Sequence, residues 1–292
     1  MIEYSKDITW KSGEKKLPLF FRFFEKKAGS NALVVYLHGA AGSSMFPYYN
    51  GMSIAKKYSK HAAHFLLVSD PLLSLADELR VAWYTSPYQE EDIIINIASE
   101  INNIVSKRGV EKILFVGGSA ASIPLIKIGR YVKNSYFFIW NPQTDLTKYY
   151  VGHISRWASN LKVDETLLAD LSSKESTRTS VNFKECFEEK SNYYSILQMF
   201  KDDFHLKNHA KPFYEAMTGK PALFHPKLSE LVLPNVLFHI GSWERPIITK
   251  DGLVKGHIPP RSNRHAEVIL AFVKHNDPKR VLTAKFFRKW DV

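Results

Sequence analysis

The chain has 292 residues, of which 45% are apolar and 24% charged, the balance of a globular protein, which excludes a disordered, collagen-like or coiled-coil chain. No run of about 18 apolar residues occurs, so we predict no membrane-spanning segment. The net charge of +11 favours an anionic partner, and without a zinc-finger, RNP-like or basic heptad motif we predict that this partner is not a nucleic acid.

Short apolar runs in the first half of the chain predict buried parallel strands, because each is rich in β-branched or aromatic residues and ends at small or polar ones. These runs are 33–37, 65–68, 113–116 and 136–140. The earlier apolar segment 17–24 is interrupted by Arg22 and is too short for a signal peptide. Helical spacing of apolar residues predicts helices at 91–105 and 123–132. This alternation predicts a doubly wound, mostly parallel α/β sheet.

A His-Gly pair followed by small residues leaves the first strand, at His38, Gly39 and Ala40. Small residues let backbone N–H groups point into a site, so the N–H of Ala40, with that of Ala120, could form an oxyanion hole. An ordinary glycine-containing strand exit is the alternative interpretation.

The segment 115–121 lies between a predicted strand and a predicted helix and contains Gly117, Ser119 and Ala121 in a G-x-S-x-small pattern. This pattern is typical of a nucleophile elbow, in which larger neighbours would collide with the strand and the helix. A phosphate-binding turn is less well supported, because the lysine of a P-loop and the third glycine of a dinucleotide fingerprint are absent. Ser119 is therefore the predicted nucleophile.

The strand–helix alternation stops after Asp145, and residues 146–190 are polar, with Trp157 and Leu167-Leu168 as sparse apolar anchors. We predict a helical insertion, or cap, within a single domain that spans 1–292. Cys186 in this region is the only cysteine and cannot form an internal disulfide. This predicts a reducing, cytoplasmic location. Further strands are predicted at 193–197 and 236–240, and a last helix at 265–274.

An acid that orients the base is expected between the serine and the histidine in chain order. Asp203, just after the strand that begins near residue 193, is the first choice, Asp202 the second, and Glu244 after the next strand a competitor. The two aspartates could instead only cap the following helix. His205 and His209 lie four residues apart on that helix, but no glutamate follows His205 as in a zincin, so we favour a polar surface and predict no metal site.

The general base is predicted to be His257, in the loop before the last helix, with His265 at the start of that helix as second choice. His239 lies inside an apolar strand and is interpreted as a core residue. Trp83, Tyr84 and Trp243 lie at or after strand ends, where they could stack on sugar rings, although core packing is the alternative for such residues.

The His-Gly loop, the elbow at Ser119 and the Ser–Asp–His order resemble the α/β-hydrolase superfamily over about residues 30–275. Three further segments are similar to a bacterial subgroup tied to capsular polysaccharide biosynthesis, which includes capsule O-acetyltransferases. These segments are Ser69-Asp70-Pro71 with Trp83-Tyr84, Trp140–Asp145 and Gly256–Pro260. The resemblance implies an acyl-enzyme at Ser119, acetyl-CoA as co-substrate rather than as a bound cofactor, and a polysaccharide hydroxyl as acceptor.

Three functions remain open at this point. The first is serine-dependent acyl transfer to a polysaccharide, and the second is hydrolysis by the same residues, as a carboxylesterase or carbohydrate deacetylase. The third is a non-catalytic binding protein on a hydrolase scaffold, because a fold does not by itself imply a function. The sequence does not predict an oligomeric state.

Overall fold

The computed structural model describes residues 1–10, 15–42, 46–86, 88, 92–166, 169, 183–226, 228–245, 247–248, 254–275 and 277–291. Leu167 and Leu168, predicted as anchors of the insertion, lie outside these residues. None of the helices described in these ranges is long and apolar enough to cross a membrane.

A mixed nine-stranded sheet forms the centre of the fold. Its strands are β1 Ile2–Trp10, β2 Lys15–Phe24, β3 Ala32–Leu37, β4 His64–Val68, β5 Lys112–Gly118, β6 Ser135–Trp140, β7 Tyr193–Met199, β8 Ser229–Leu233 and β9 Val236–Gly241. They lie in the order β1-β2-β4-β3-β5-β6-β7-β9-β8. The six strands from β4 to β9 in this order run parallel, whereas the β1–β2 hairpin and β8 join them by antiparallel pairing at the two ends of the sheet. A separate hairpin contains β10 Ile247–Ile248 and β11 Val254–Lys255. The predicted doubly wound, mostly parallel sheet is confirmed.

Helices connect and flank these strands. The α-helices are α1 Met52–Tyr58, α2 Asp92–Arg108, α3 Ser122–Ile128, α4 Val151–Asn160, α5 Phe183–Cys186, α6 Asp203–His205, α7 Lys211–Thr218, α8 Ser262–Lys274 and α9 Ala284–Arg288. A π-helical segment, Leu206–Ala210, joins α6 to α7. Short 3-10 helices span Pro71–Leu75, Ser119–Ala121, Leu146–Lys148 and Pro278–Arg280.

The central strands are buried on both faces, which explains why they have uninterrupted apolar sequences. In β3, Leu33, Val35 and Leu37 belong to the core on one face, whereas Val34 and Tyr36 belong to the core on the other. This alternation follows from the two-residue period of a strand. The sheet therefore has helices packed on both sides, and its parallel strands direct their carboxyl ends to one edge.

The edge hairpin β1–β2 is not predicted from the sequence. Leu17, Leu19, Phe21 and Phe23 are buried on one face of β2, while the Arg22 side chain between them forms an ion pair with Glu3 on β1. Arg22 is thus not an interruption of an apolar run but the outward residue of an amphipathic strand. The alternation, rather than the apolar content, is the signal in this segment.

The described part of the polar region 146–190 contains α4, α5 and the 3-10 helix Leu146–Lys148. Trp157 of α4 is fully buried, as expected of an anchor, and its ring meets that of Trp83 edge to face at 6.4 Å. Tyr149 also contacts Trp83, at 5.7 Å between ring centroids. The region therefore packs on the part of the fold that carries Trp83.

Candidate active site

Ser119 lies at a sharp turn between β5 and α3 and has a φ of +56°. A left-handed conformation is costly for a residue with a Cβ atom. The turn also requires small neighbours: a Cβ on Gly117 would lie 2.7 Å from Leu125 Cδ1 and 3.0 Å from the Cβ of Ala121. Residues 117–121 thus have the strand–turn–helix geometry that the motif predicts.

The loop after β3 packs against this turn. A Cβ on Gly39 would lie 2.9 Å from the Gly118 carbonyl oxygen and 3.7 Å from the Ala120 nitrogen. Ala120 is the second residue of its helix, where backbone N–H groups have no partner within the helix. The structure therefore brings the loop containing Ala40 next to Ala120, the two residues predicted to supply oxyanion donors.

His38 holds this loop in place through contacts of both of its ring nitrogens. Its Nδ1 lies 2.8 Å from the Gly39 carbonyl oxygen, and its Nε2 accepts a hydrogen bond of 3.0 Å from the Asp70 N–H. These contacts fit a neutral ring protonated at Nδ1, and burial lowers the pKa of His38 to about 4 although the Gly39 carbonyl opposes that shift. His38 is therefore a structural support of the loop.

Asp202 contacts the predicted base. Its Oδ2 lies 2.6 Å from His257 Nδ1, and its side chain is 5% exposed, whereas the neighbouring Asp203 is exposed and begins α6. The geometry thus places Asp202, and not Asp203 as predicted, beside His257. The chain bends after β7 so that Asp202 turns inward, and adjacent residues at such a bend cannot be ranked from sequence alone.

Glu244, the competing acid, is held elsewhere. Its Oε2 lies 2.7 Å from Arg261 Nε. The carboxylate of Glu244 is therefore engaged in an ion pair beside α8, not with His257.

Gly256 determines how closely the His257 loop approaches Asp202. A Cβ at this position would lie 1.8 Å from the Lys201 carbonyl oxygen and 2.6 Å from the Asp202 backbone nitrogen. No side chain fits there without displacement of backbone. The absence of a side chain at Gly256 therefore permits the contact between Asp202 and His257.

His205 shares the carboxylate of Asp202. Its Nδ1 lies 2.9 Å from Asp202 Oδ1, and its ring stacks on that of His257 with centroids 4.0 Å apart. Burial raises the pKa of Asp202, but the hydrogen bonds from His205 and His257 outweigh it and lower that pKa below its ordinary value. The pKa of His205 is also lowered, chiefly by burial. Asp202 is thus a carboxylate that accepts from two imidazole rings.

The interpretation of His205 and His209 as a polar surface is wrong, because their side chains are buried to 1% and 0% exposure. His209 Nδ1 lies 3.3 Å from the Thr144 nitrogen, and burial lowers the pKa of His209 to about 3. Asp202, His205 and His257 have donor types suited to a metal ion, with ligand atoms within 4.8 Å of one another. Hydrogen bonds to the carboxylate already account for this spacing.

Gln143 links this cluster to Ser119. Its Nε2 lies 2.9 Å from Ser119 Oγ and 3.4 Å from His205 Nε2, while its Oε1 accepts a hydrogen bond from the Trp83 indole. Its backbone N–H also donates to the Ser119 carbonyl oxygen at 3.3 Å. Neither Gln143 nor His205 is predicted from the sequence as part of the site. Their sequence signals are weak: both follow strand ends, and Gln143 also lies in the Trp140–Asp145 segment that resembles the capsule subgroup.

The aromatic residues predicted to stack on sugar rings are all interior: Trp83, Tyr84 and Trp243 have exposures of 1%, 2% and 2%. The Tyr84 hydroxyl accepts from the His38 N–H and donates to the Val68 carbonyl oxygen, and the Trp243 indole donates to the Ile258 carbonyl oxygen. Their buried positions correct the prediction of exposed stacking surfaces: little of any of the three rings reaches solvent, and Tyr84 and Trp243 hold the surrounding loops through these hydrogen bonds.

Several residues around this edge of the sheet have left-handed backbone conformations. Besides Ser119, these are Trp83, Tyr84 and Asn141, with φ of +54°, +52° and +43°. Asn141 also connects two elements, because its Oδ1 accepts from the Met199 N–H at 2.9 Å and its Nδ2 donates to the Ile258 carbonyl oxygen at 3.2 Å. The site is thus assembled from turns that are individually unfavourable.

His265, the second choice for the base, is buried on another face of α8. Its Nδ1 lies 3.2 Å from the Tyr36 hydroxyl oxygen, and its ring packs against Trp140 at 4.7 Å. Burial lowers the pKa of His265 to about 4, although a backbone hydrogen bond with Pro260 opposes the shift. The contacts of His265 therefore do not include Ser119 or Asp202.

This lowered pKa predicts a loss of stability in mild acid. Between about pH 6.5 and pH 4 the unfolded chain binds a proton at residue 265 that the folded chain does not, so the free energy of unfolding decreases as the pH falls, by at most about 1.4 kcal/mol per pH unit from this group. We expect His265→Phe to flatten this slope in urea unfolding measured across that range. His275→Gln, which changes an exposed histidine at the end of the same helix, should retain the parental slope. An unchanged slope in the Phe variant would contradict the assignment.

Comparison with solved structures gives a likeness to the capsule O-acetyltransferase of Neisseria meningitidis serogroup A, with a TM-score of 0.59 and 13% identity over 89% of this chain and 95% of that chain. A mutant of that enzyme in complex with CoA gives a TM-score of 0.55 and 12% identity, over 91% of this chain and 95% of that chain. A protein of unknown function from Staphylococcus aureus subsp. aureus Mu50 gives a TM-score of 0.50 and 13% identity, over 94% of this chain and 96% of that chain.

No protein-family model matches the chain, and no curated protein matches it. At these identities the structural likenesses concern the fold. Together with the elbow they confirm the predicted α/β-hydrolase-like fold, shared with a capsule acetyltransferase.

Proposed function

We propose that this protein is a serine acyltransferase that acetylates a hydroxyl group of a bacterial, capsule-type polysaccharide, with acetyl-CoA as donor. The observation that carries the proposal is the arrangement around Ser119: a left-handed turn packed against the His38–Ala40 loop and linked through Gln143 and His205 to the Asp202–His257 pair. The fold shared with a capsule O-acetyltransferase supports the choice of reaction.

In the first half of this reaction, Ser119 Oγ attacks the thioester carbonyl carbon and its proton passes to His257. The tetrahedral oxyanion would accept hydrogen bonds from the N–H groups of Ala40 and Ala120. When it collapses, the C–S bond breaks and the CoA sulfur takes the proton from His257.

In the second half, a sugar hydroxyl attacks the carbonyl carbon of the acyl-enzyme and gives its proton to His257. The bond between that carbon and Ser119 Oγ then breaks, and Oγ recovers the proton from His257. Asp202 holds the His257 ring in one tautomer and stabilises its protonated form.

The surroundings of the site support an anionic acceptor. A cavity of about 240 Å³ at the start of α8 is lined by Trp243, Glu244, Asn263 and three arginines, Arg245, Arg261 and Arg264, of which Arg261 is paired with Glu244 and Arg264 with Glu267. With the +11 net charge of the chain, such a surface would raise the local concentration of an anionic polymer. Exposed charges are screened over about 8 Å at physiological ionic strength, so polymer use should decline at high salt.

Labelling with a fluorophosphonate tests the nucleophile. Ser119 Oγ should attack phosphorus and displace fluoride, so the parent protein should be labelled and Ser119→Ala should not be. Ser122→Ala is a matched control, because Ser122 is a buried serine only three residues away, at the first position of α3. It should retain labelling. Equal labelling of Ser119→Ala and the parent would exclude Ser119 as the nucleophile.

Hydrolysis is the second candidate, because the His257 side chain is 35% exposed and water can reach it. CoA release from acetyl-CoA should therefore be slow alone and accelerated by an anionic capsule polymer if the protein is a transferase. If no polymer accelerates it while short-chain aryl esters are cleaved quickly, the protein is an esterase. If neither substrate turns over and Ser119 resists the probe, a non-catalytic binding function replaces both.

A further inference from the structure

The side-chain amide of Gln143 has only one orientation that satisfies its neighbours. The Trp83 indole is a donor only, so the atom of Gln143 that it contacts must be the carbonyl oxygen. The amide nitrogen is then the atom that faces Ser119 Oγ at 2.9 Å and His205 Nε2 at 3.4 Å. One buried donor therefore decides which way the amide points.

The opposite end of the network gives the same orientation. Asp202 as a carboxylate can only accept, so His205 Nδ1 must carry a hydrogen to bond to it at 2.9 Å. The lowered pKa of His205 keeps its ring neutral, which leaves Nε2 as an acceptor. This acceptor faces the Gln143 nitrogen, so the amide N–H groups meet acceptors at Ser119 Oγ and His205 Nε2, and the Tyr149 hydroxyl is a further side-chain partner of Gln143.

We infer that Gln143 is a further catalytic residue of the reaction proposed above, on which this inference rests: its amide N–H donates to Ser119 Oγ and orients the serine hydroxyl for proton transfer to His257. Because an oxygen lone pair of Ser119 is occupied by the amide, the hydroxyl hydrogen must point elsewhere. The same N–H stabilises the negative charge that develops on Oγ when the proton leaves. His205 is a positioning residue that fixes Gln143 and Asp202 together.

The consequence is a single defined proton arrangement over the whole site. Trp83 donates to Gln143, Gln143 donates to Ser119 and His205, and both histidines donate to Asp202. Among these contacts of Trp83, Gln143, His205, His257 and Asp202, each donor therefore has a defined acceptor. A preorganised site of this kind does not have to reorient its dipoles during the reaction.

Two isosteric substitutions test this role by the second-order rate constant for fluorophosphonate labelling, measured against pH. Gln143→Met retains the volume without a donor, and Gln143→Glu replaces the donor by an acceptor. Both should label about 100-fold more slowly than the parent, the scale of losing one preorganised donor. In Gln143→Glu the added carboxylate should also move the pH midpoint of labelling upward, by about one unit or more, because a nearby negative charge favours protonated histidine.

The titratable groups around the His205 and His257 rings also influence the pH midpoint of labelling. Asp202 contacts both, and His209 and Tyr149 pack against His205 at 5.3 Å and 5.9 Å between centroids. All remain in both variants, so the shift reports the new carboxylate.

Gln198→Glu is the matched control, because Gln198 is also a buried glutamine on β7 but its amide donates to the Met199 carbonyl oxygen. It should keep the parental rate and pH midpoint even if its melting temperature falls. If folded Gln143→Met labels at the parental rate, the inference is overturned. If the parent itself is not labelled, the proposed serine chemistry fails instead, and the two failures are distinguishable.

Discussion

Asp202→Asn should reduce turnover by about four orders of magnitude, the scale seen when an orienting carboxylate is neutralised in a serine triad. The Asp202 carboxylate accepts from the Nδ1 atoms of both His205 and His257. Asparagine has one accepting oxygen and one donating nitrogen, so it can satisfy only one ring in its present tautomer. Either His257 takes the wrong tautomer, or His205 loses its hydrogen bond to residue 202 and no longer holds the Gln143 amide in place.

Asp203→Asn provides the comparison, because Asp203 is the adjacent residue of identical type, exposed to solvent and without a contact to His257 among the described interactions. It should retain nearly parental turnover. Steady-state kinetics and thermal unfolding of both variants decide the matter. A severe loss in Asp203→Asn, with Asp202→Asn near parental, would show that the acid is Asp203.

Gly256→Ala should reduce turnover by at least about 100-fold, although it adds only one methyl group. The new Cβ would meet the Lys201 carbonyl group and the Asp202 nitrogen at 1.8–2.6 Å, and neither backbone atom can rotate away. The loop must move outward and lengthen the 2.6 Å contact between His257 and Asp202. Displacements of about 1 Å in a catalytic pair cost on the order of 100-fold in rate.

Gly152→Ala is the control for this substitution, because a Cβ at Gly152 in α4 meets nothing within 4 Å. Alanine there should preserve turnover and slightly raise the free energy of unfolding, since it favours the helix by up to about 1 kcal/mol. Turnover, melting temperature and the ring signals of His257 should be compared for the two variants. Parental turnover in Gly256→Ala would mean that the approach of the loop to Asp202 is unimportant for catalysis.

The central parallel strands were predictable because burial on both faces leaves them as uninterrupted apolar runs. All six predicted strands occur, with ends within about two residues: the predicted run 113–116 is part of Lys112–Gly118. The edge hairpin and β8 were not predicted, because amphipathic edge strands alternate apolar and polar residues and resemble loops in composition. Likewise, the last helix begins at Ser262, three residues before its predicted start, because its first turn is polar.

In the site, the positions of Ser119 and His257 follow from local rules: a small-residue turn for the first, and a loop before the last helix for the second. The choice between Asp202 and Asp203 depends on a bend after β7 and on the packing of Gly256 against residue 201, which are tertiary contacts. His205 and Gln143 enter the site because β6, β7 and the π segment end near one another. Buried aromatics such as Trp83 and Trp243 have the same local sequence context as exposed ones, so their support role was visible only in three dimensions.

The four left-handed residues at Trp83, Tyr84, Ser119 and Asn141 have a consequence for directed evolution of thermostability. Each such conformation costs about 1–2 kcal/mol relative to a relaxed backbone. Together they lower the free energy of unfolding by an amount comparable to a large part of the net stability of a typical domain. Selection for heat resistance alone should therefore favour glycine at position 119, where the side chain is small, and yield stable proteins without activity. Trp83 and Tyr84 should be retained, because their buried side chains contribute more through packing than their backbone conformations cost. Libraries intended to retain function should exclude these four codons and place their diversity on the outward face of the β1–β2 hairpin.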